Sequence, residues 1–145
     1  MKRTAFTLVE ILIVVIILGI LAAIVIPQFS EASDDARLSS MISDLQTIRS
    51  QLELYRVEHG EYPDGATSAA WVAQLTGKTA KDGTAGTDYG PYLQTFPTNP
   101  FNDASDVLLD DGSGSPGAAS TDVGWYFDTS TGKFAPNDSV AHGAL

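Results

Sequence analysis

Residues with the type and spacing for chemistry fall in three places in this chain. It has no cysteine and two histidines, His59 and His142, at a predicted helix end and near the last residues. No serine or aspartate stands in a pattern that would supply it with a base, so nucleophilic and general acid–base catalysis are not expected. His59 is expected to be an exposed helix-end residue. The second place is acidic: Asp110, Asp111 and Asp122 flank a loop rich in glycine and serine. Calcium favours clustered carboxylate and carbonyl oxygens, so these three are candidate ligands. The plainer reading is a solvated loop that keeps the protein soluble. The third place is Glu10, a single carboxylate in front of the apolar run over residues 11–26. A carboxylate at a membrane helix centre costs roughly 2.5–3.5 kcal/mol, less near an interface, and such residues usually have a partner.

The elements that must position these residues follow from the hydropathy pattern. Residues 6–26 make 21 positions, about 31 Å of helix and enough to span a hydrocarbon core. Lys2 and Arg3 precede the run, which keeps that end cytoplasmic and places the remainder outside. A secretory signal peptide competes, with Leu21-Ala22-Ala23 offering small residues. Its apolar core is typically about 7–15 residues, however, and Pro27-Gln28-Phe29-Ser30 is a poor cleavage site of that kind. A plain membrane anchor explains the length but not Glu10. Gly costs about 1 kcal/mol relative to Ala inside a helix, and Pro removes a hydrogen bond, so the stretch between Gly19 and Pro27 is the easiest to melt or bend.

Beyond Pro27 the pattern becomes amphipathic. Leu38, Met41, Ile42, Leu45, Ile48, Leu52 and Tyr55 recur at spacings of three and four, one face of a second helical stretch. Arg49 and Glu53 form an i,i+4 pair worth a few tenths of a kcal/mol. Gly60 and Pro63 supply the stop. A helix from about residue 7 to residue 59 would be close to 80 Å long. Ser68 is expected to cap a short helix ending at Gly77, with Trp71 and Leu75 against the long one. Residues 76–87 are expected to be a mobile surface loop. Pro91, Pro97 and Pro100 stiffen an extended wrap held by Tyr92, Leu93, Phe96 and Phe101. Val107-Leu108-Leu109 and a hairpin around residues 125–134 complete the picture. The fold class expected is α+β: a long N-terminal helix with a small antiparallel sheet packed on its second half. With 145 residues there is room for one domain, and 18 acidic against 8 basic residues (net charge −10) exclude binding of nucleic acid through its phosphates. Without disulfides, a small domain needs some other staple.

The start of the chain, Lys2-Arg3-Thr4-Ala5 followed by Phe6-Thr7-Leu8-Val9-Glu10 and the apolar helix with Gly19 and Pro27, resembles the class III signal of type IV pilins and type II secretion pseudopilins. The resemblance implies that a prepilin peptidase cuts between Ala5 and Phe6 and methylates the new amine of Phe6. It also implies that Glu10 is the assembly glutamate and that Gly19 and Pro27 are points of helix flexibility. The residue before the cut is usually Gly in that family and is Ala5 here, so cleavage is expected at an equal or slower rate. The implied division is a leader (1–5), a transmembrane and filament-core helix (6–29) and a globular head (30–145).

Three further segments resemble major pseudopilins: Tyr55 through Gly60 to Tyr62-Pro63, the Gly90-Pro91-Tyr92-Leu93 to Pro100-Phe101 wrap, and the loop from Asp111-Gly112 to Asp122-Val123-Gly124-Trp125. In that family the last segment binds one calcium ion. Here the loop is filled with Ser and Ala, and the chain continues through a hairpin after Trp125. The function implied is structural rather than enzymatic: subunit of a homo-oligomeric filament, the major pseudopilin of a type II secretion system. The alternative is the subunit of a type IV pilus for adhesion, motility or DNA uptake. Implied partners are the prepilin peptidase, an inner-membrane assembly platform and minor pilins. The implied location is a single pass through a bacterial inner membrane with the head outside the cytoplasm, then a periplasmic or surface filament. A membrane-anchored binding domain, a third reading, leaves Glu10 unexplained.

Overall fold

The computed structural model describes residues 7–117 and 122–145. Helix α1 spans Leu8–His59, as the two successive apolar patterns require. The chain divides into two compact units that meet in the sequence between Arg37 and Leu38. In the first unit the apolar side chains of α1, such as Ile11, Leu12, Ile16 and Ile20, are exposed. The helix is long and apolar enough there to cross a membrane, by length and composition.

The second unit, Leu38–Leu145, has a true core. Its part of α1 buries Met41, Leu45, Ile48, Leu52 and Tyr55, a seam stepping by four and three as helix geometry demands. Ile42 belongs to the sequence pattern but lies beside this seam and is 37% exposed. Helix α1 ends at His59, where Gly60 takes φ +91 and its N–H reaches the Arg56 carbonyl at 2.8 Å. Helix α2 spans Ser68–Thr76. Its cap is Thr67, one residue before the expected Ser68: the Thr67 hydroxyl accepts the Ala70 N–H at 3.2 Å. Ser68 does something else, accepting the Val107 N–H at 2.9 Å and so tying α2 to the sheet.

The sheet has three strands in the order β1 (Val107–Asp110), β2 (Trp125–Asp128), β3 (Phe134–Pro136). Strand β2 is central, and all four of its residues are buried. Strands β2 and β3 form the expected antiparallel hairpin, with Phe127 opposite Phe134. Strands β1 and β2 are parallel, with Val107 opposite Trp125 and Asp110 opposite Asp128. The sheet is therefore mixed rather than antiparallel. The physical reason is the connection: a tight turn reverses the chain, but the long segment between β1 and β2 lets it return and run in the same direction. Trp71 and Leu75 of α2 lie in the same core as the α1 seam. The Trp71 ring stacks on Phe134 at 6.1 Å and tilts against Phe127 at 4.9 Å. Each such buried side chain stabilises the fold by about 1.5–3 kcal/mol.

Two other expectations change. The segment after α2 is tied down rather than mobile: Thr79 is buried and bridges both Ala85 and Tyr89. Arg49 does not pair with Glu53. Its guanidinium donates to the Phe134 carbonyl at 2.7 and 3.0 Å, and Glu53 instead accepts the Tyr62 hydroxyl at 2.7 Å. A half-buried carbonyl is the better partner because an exposed i,i+4 ion pair is worth so little.

Candidate assembly segment and acidic loop

Between Leu8 and Ser30, Glu10 is the only charged residue. The structure gives it a partner in its own first turn. Thr7 N–H and the Thr7 hydroxyl both donate to Glu10 Oε2, at 2.8 and 2.7 Å, while the Glu10 N–H reaches Thr7 Oγ1 at 3.3 Å. This is a reciprocal capping box, in which a Thr at the cap and a Glu three residues on satisfy amides that the helix leaves open. Thr7 is a partner of Glu10 that the expectations above left out, although the Thr-x-x-Glu spacing is its ordinary sequence signal. Phe6 and Ala5, the expected cleavage pair, lie outside the described residues. Helix α1 runs through Gly19 and Pro27. A Cβ at Gly19 would meet nothing within 4 Å, so nothing in its own chain requires a glycine there.

The acidic loop starts where the two parallel strands end side by side. Asp110 Oδ1 accepts the N–H groups of Gly112 and Gly114 at 2.8 and 2.9 Å and the Tyr126 hydroxyl at 3.1 Å. Asp111 accepts the Ser113 N–H at 3.1 Å, and hydrogen bonds from Ser113 hold its carboxyl below the usual range. Burial, then the charges of Asp110, Asp128 and Asp111, push the Tyr126 hydroxyl up to about 12. Asp122 directly follows residues 118–121, which lie outside the described set. Among the described residues no three acidic or histidine side chains converge as a metal site. Asp110 takes its three donors through Oδ1 alone, and the bond to Asp111 likewise uses a single oxygen.

Asp128 is the carboxylate sequence reasoning passed over. Its Oδ1 accepts the Ser130 hydroxyl at 2.6 Å and N–H at 2.8 Å, and its Oδ2 accepts the Thr131 hydroxyl at 2.6 Å. These bonds, Ser130 first, pull its carboxyl from 3.8 down to about 2. A carboxyl depressed in the folded state adds stability above its unfolded value that is lost as pH falls through the folded one. Acid unfolding followed by circular dichroism should therefore steepen between about pH 4 and pH 2. Asp128→Asn should lose less stability across that window, and equal losses in both proteins would remove Asp128 from the acid response.

His59 is half-buried rather than exposed. Its ring stacks on Tyr55 at 3.9 Å, and Nε2 lies 2.9 Å from the Thr79 hydroxyl. His142 pairs with Asp138 at 2.5 Å, which in turn accepts from the buried Asn99 amide at 2.8 Å. Both histidines are held by neighbouring side chains, His59 between Tyr55 and Thr79 and His142 against Asp138.

A helix whose membrane-length apolar stretch has its one charge held at the first turn, followed in the sequence by a small α+β unit, defines a pilin-like subunit. Residues 1–26 match the family model described as prokaryotic N-terminal methylation motif, and residues 28–115 match that of type II secretion system (T2SS), protein G. The chain belongs to the type II secretion system protein G family, the major pseudopilins. It is 31% identical over 107 residues to the type II secretion system core protein G of Pseudomonas aeruginosa, covering 74% of each chain. Identity to the core protein G of Klebsiella pneumoniae is 27% over 107 residues, covering 74% of this chain and 75% of that one. With that of Vibrio cholerae it is 29% over 100 residues, covering 69% and 66%. No solved structure matches the chain significantly. The family decides between the two filament readings in favour of secretion. It is a structural family, and its methylation motif implies processing by a prepilin peptidase and membrane anchoring through the apolar helix.

Proposed function

We propose that the chain is the repeating subunit of a homo-oligomeric type II secretion pseudopilus. It inserts once in the inner membrane with its head outside the cytoplasm. A prepilin peptidase cuts between Ala5 and Phe6 and methylates Phe6, and an inner-membrane platform with minor pilins draws the subunit into the filament. The observation that supports this most is the carboxylate of Glu10, engaged by Thr7 and the only charge between Leu8 and Ser30. In the bilayer the capping box lowers the cost of that charge by giving it two donors. In the filament, the methylated amine of an incoming Phe6 replaces Thr7 as the stronger, charged donor and fixes the axial register.

Mass analysis of the membrane-extracted protein tests the first step. The mature chain should begin at Phe6 and carry one added methyl group. Any other start removes the assignment of the signal. Deleting the gene should abolish protein export and leave motility intact, whereas the opposite pattern would mark a pilus.

Calcium belongs to the same proposal, with Asp111 and Asp122 as its carboxylate ligands. Binding to the folded state raises stability by mass action. The full chain in detergent should melt higher in millimolar calcium than in chelator, and the difference should vanish in Asp111→Asn with Asp122→Asn. Equal melting of the unsubstituted chain in both conditions would leave the two aspartates as solubilising charge.

A further inference from the structure

We propose that the cleft at the end of α1 is a receptor for an organic cation, the ammonium or guanidinium group of a basic side chain or of a free amine. The cleft measures about 260 Å³ and lies between the last turn of α1, the turn at Glu61 to Asp64 and the loop at Lys81 to Gly83. Two independent features mark it.

The first is an unpartnered hydroxyl. The Tyr55 side chain is only 2% exposed, yet its hydroxyl forms no hydrogen bond with any described residue and opens onto the cleft. It is free to bond a ligand there in place of water. Tyr55 meets the loop beside Gly83, where an added Cβ would lie 2.9 Å from the hydroxyl, 3.1 Å from Gln74 Nε2 and 3.7 Å from Asp64 Oδ1. Gly83 has φ +78, which favours glycine, and the missing side chain leaves the hydroxyl accessible.

The second is an excess of negative charge: Glu61, Asp64 and Asp82 against Lys81 and the His59 ring. Among the described residues none of the three carboxylates forms an ion pair with a lysine or arginine. Asp64 accepts the Gln74 amide at 2.8 Å, and Asp82 accepts the Thr84 hydroxyl at 2.6 Å, both through Oδ1. The other oxygen of each carboxylate is not engaged by a described residue. Burial, then the charges of Asp64 and Asp82, push the Tyr55 hydroxyl up to about 12, so it stays protonated. The end of α1 adds the partial negative charge of its last carbonyls. Lys81 Nζ donates to the Glu58 carbonyl at 3.3 Å rather than to a carboxylate of the cleft.

These features select the ligand class. An anion is repelled. A calcium ion needs six or more oxygens at 2.3–2.6 Å, and the described acids do not converge as a metal site. An alkylammonium or guanidinium group makes longer N–H···O bonds to spaced acceptors.

The test is a nuclear magnetic resonance titration of the full, isotope-labelled chain in detergent at fixed ionic strength. The probes are acetyl-glycyl-arginyl-glycine amide, its lysyl analogue and putrescine. Neutral acetyl-glycyl-citrullyl-glycine amide and magnesium chloride are the controls. The cationic probes should shift the amides of His59, Glu61 and Gly83 saturably, and the citrulline peptide should not. Binding should weaken by about fivefold or more in Asp64→Asn with Asp82→Asn, both exposed and tolerant of change. Tyr55→Phe, which removes only the hydroxyl, should weaken it too. Putrescine binding more tightly than the peptides identifies a free amine as the source, and tighter peptides identify a protein side chain. Equal binding of the citrulline peptide, saturation by magnesium at the same amides, or shifts spread over the acidic surface without saturation would each overturn the proposal.

Discussion

Replacing Glu10 by alanine should leave insertion and cleavage largely intact and reduce filament yield by about tenfold or more. The apolar helix is unharmed, and even gains hydrophobicity, so membrane targeting does not depend on the carboxylate. Under the proposed pairing assembly does depend on it, because removing one partner of a buried ion pair strands the other charge at a cost of about 3–5 kcal/mol. Thr7→Val separates the two roles of Glu10. It removes the hydroxyl that donates at 2.7 Å but keeps the backbone donor at 2.8 Å. In the proposed filament the amine of Phe6 takes the place of Thr7, so Thr7→Val should perturb the unassembled subunit and leave finished filaments stable. Cross-linked multimers measured against total processed subunit give the yield, and resistance to detergent gives filament stability. If Glu10→Ala assembles as well as the unsubstituted chain, the pairing mechanism is wrong.

Trp71→Ala should cost about 3–5 kcal/mol, a large part of the total stability of a domain this size. The ring is fully buried and faces Phe96, Phe127 and Phe134. Trp71→Phe should be far milder than its loss of volume suggests, because Trp71 Nε1 is buried without a hydrogen-bond partner among the described residues and its removal relieves a penalty. Trp125 makes the contrast. Its Nε1–H donates to the Pro97 carbonyl at 3.0 Å, so Trp125→Phe loses a bond and strands that carbonyl. Urea unfolding of the full chain in detergent, followed by circular dichroism, should rank Trp71→Phe as the most stable of the three variants. Trp125→Phe proving the milder of the two phenylalanine changes would contradict this account.

Much of the architecture was legible because it depends on periodicity. The α1 seam, the stop at Gly60 and the hairpin around residues 125–134 all rest on local patterns that the structure keeps. The direction of β1 was not legible, since it depends on the path of the connection between Asp110 and Trp125 rather than on the strand itself. Arg49 shows the same limit at the level of a side chain. Its helical neighbour Glu53 is visible in the sequence, whereas the Phe134 carbonyl reaches it only through the tertiary fold. The sequence analysis singled out Glu10 but not its bond to Thr7, although the spacing was in plain view. Asp128 was passed over because its value lies in the Ser130 and Thr131 turn that follows, a local pattern easily lost among the other loop aspartates.

The second unit neutralises its carboxylates with amides and hydroxyls rather than with lysines and arginines. Asp110, Asp111 and Asp128 are all held in this way, and the only ion pair among the described residues joins Asp138 to His142. Dissolved salt screens the attraction between exposed full charges but hardly affects short bonds to fixed dipoles. Folding and association therefore respond to ionic strength separately. Changes in ionic strength leave the folded unit nearly untouched, while they weaken or strengthen the mutual repulsion of chains that each carry a net charge of −10.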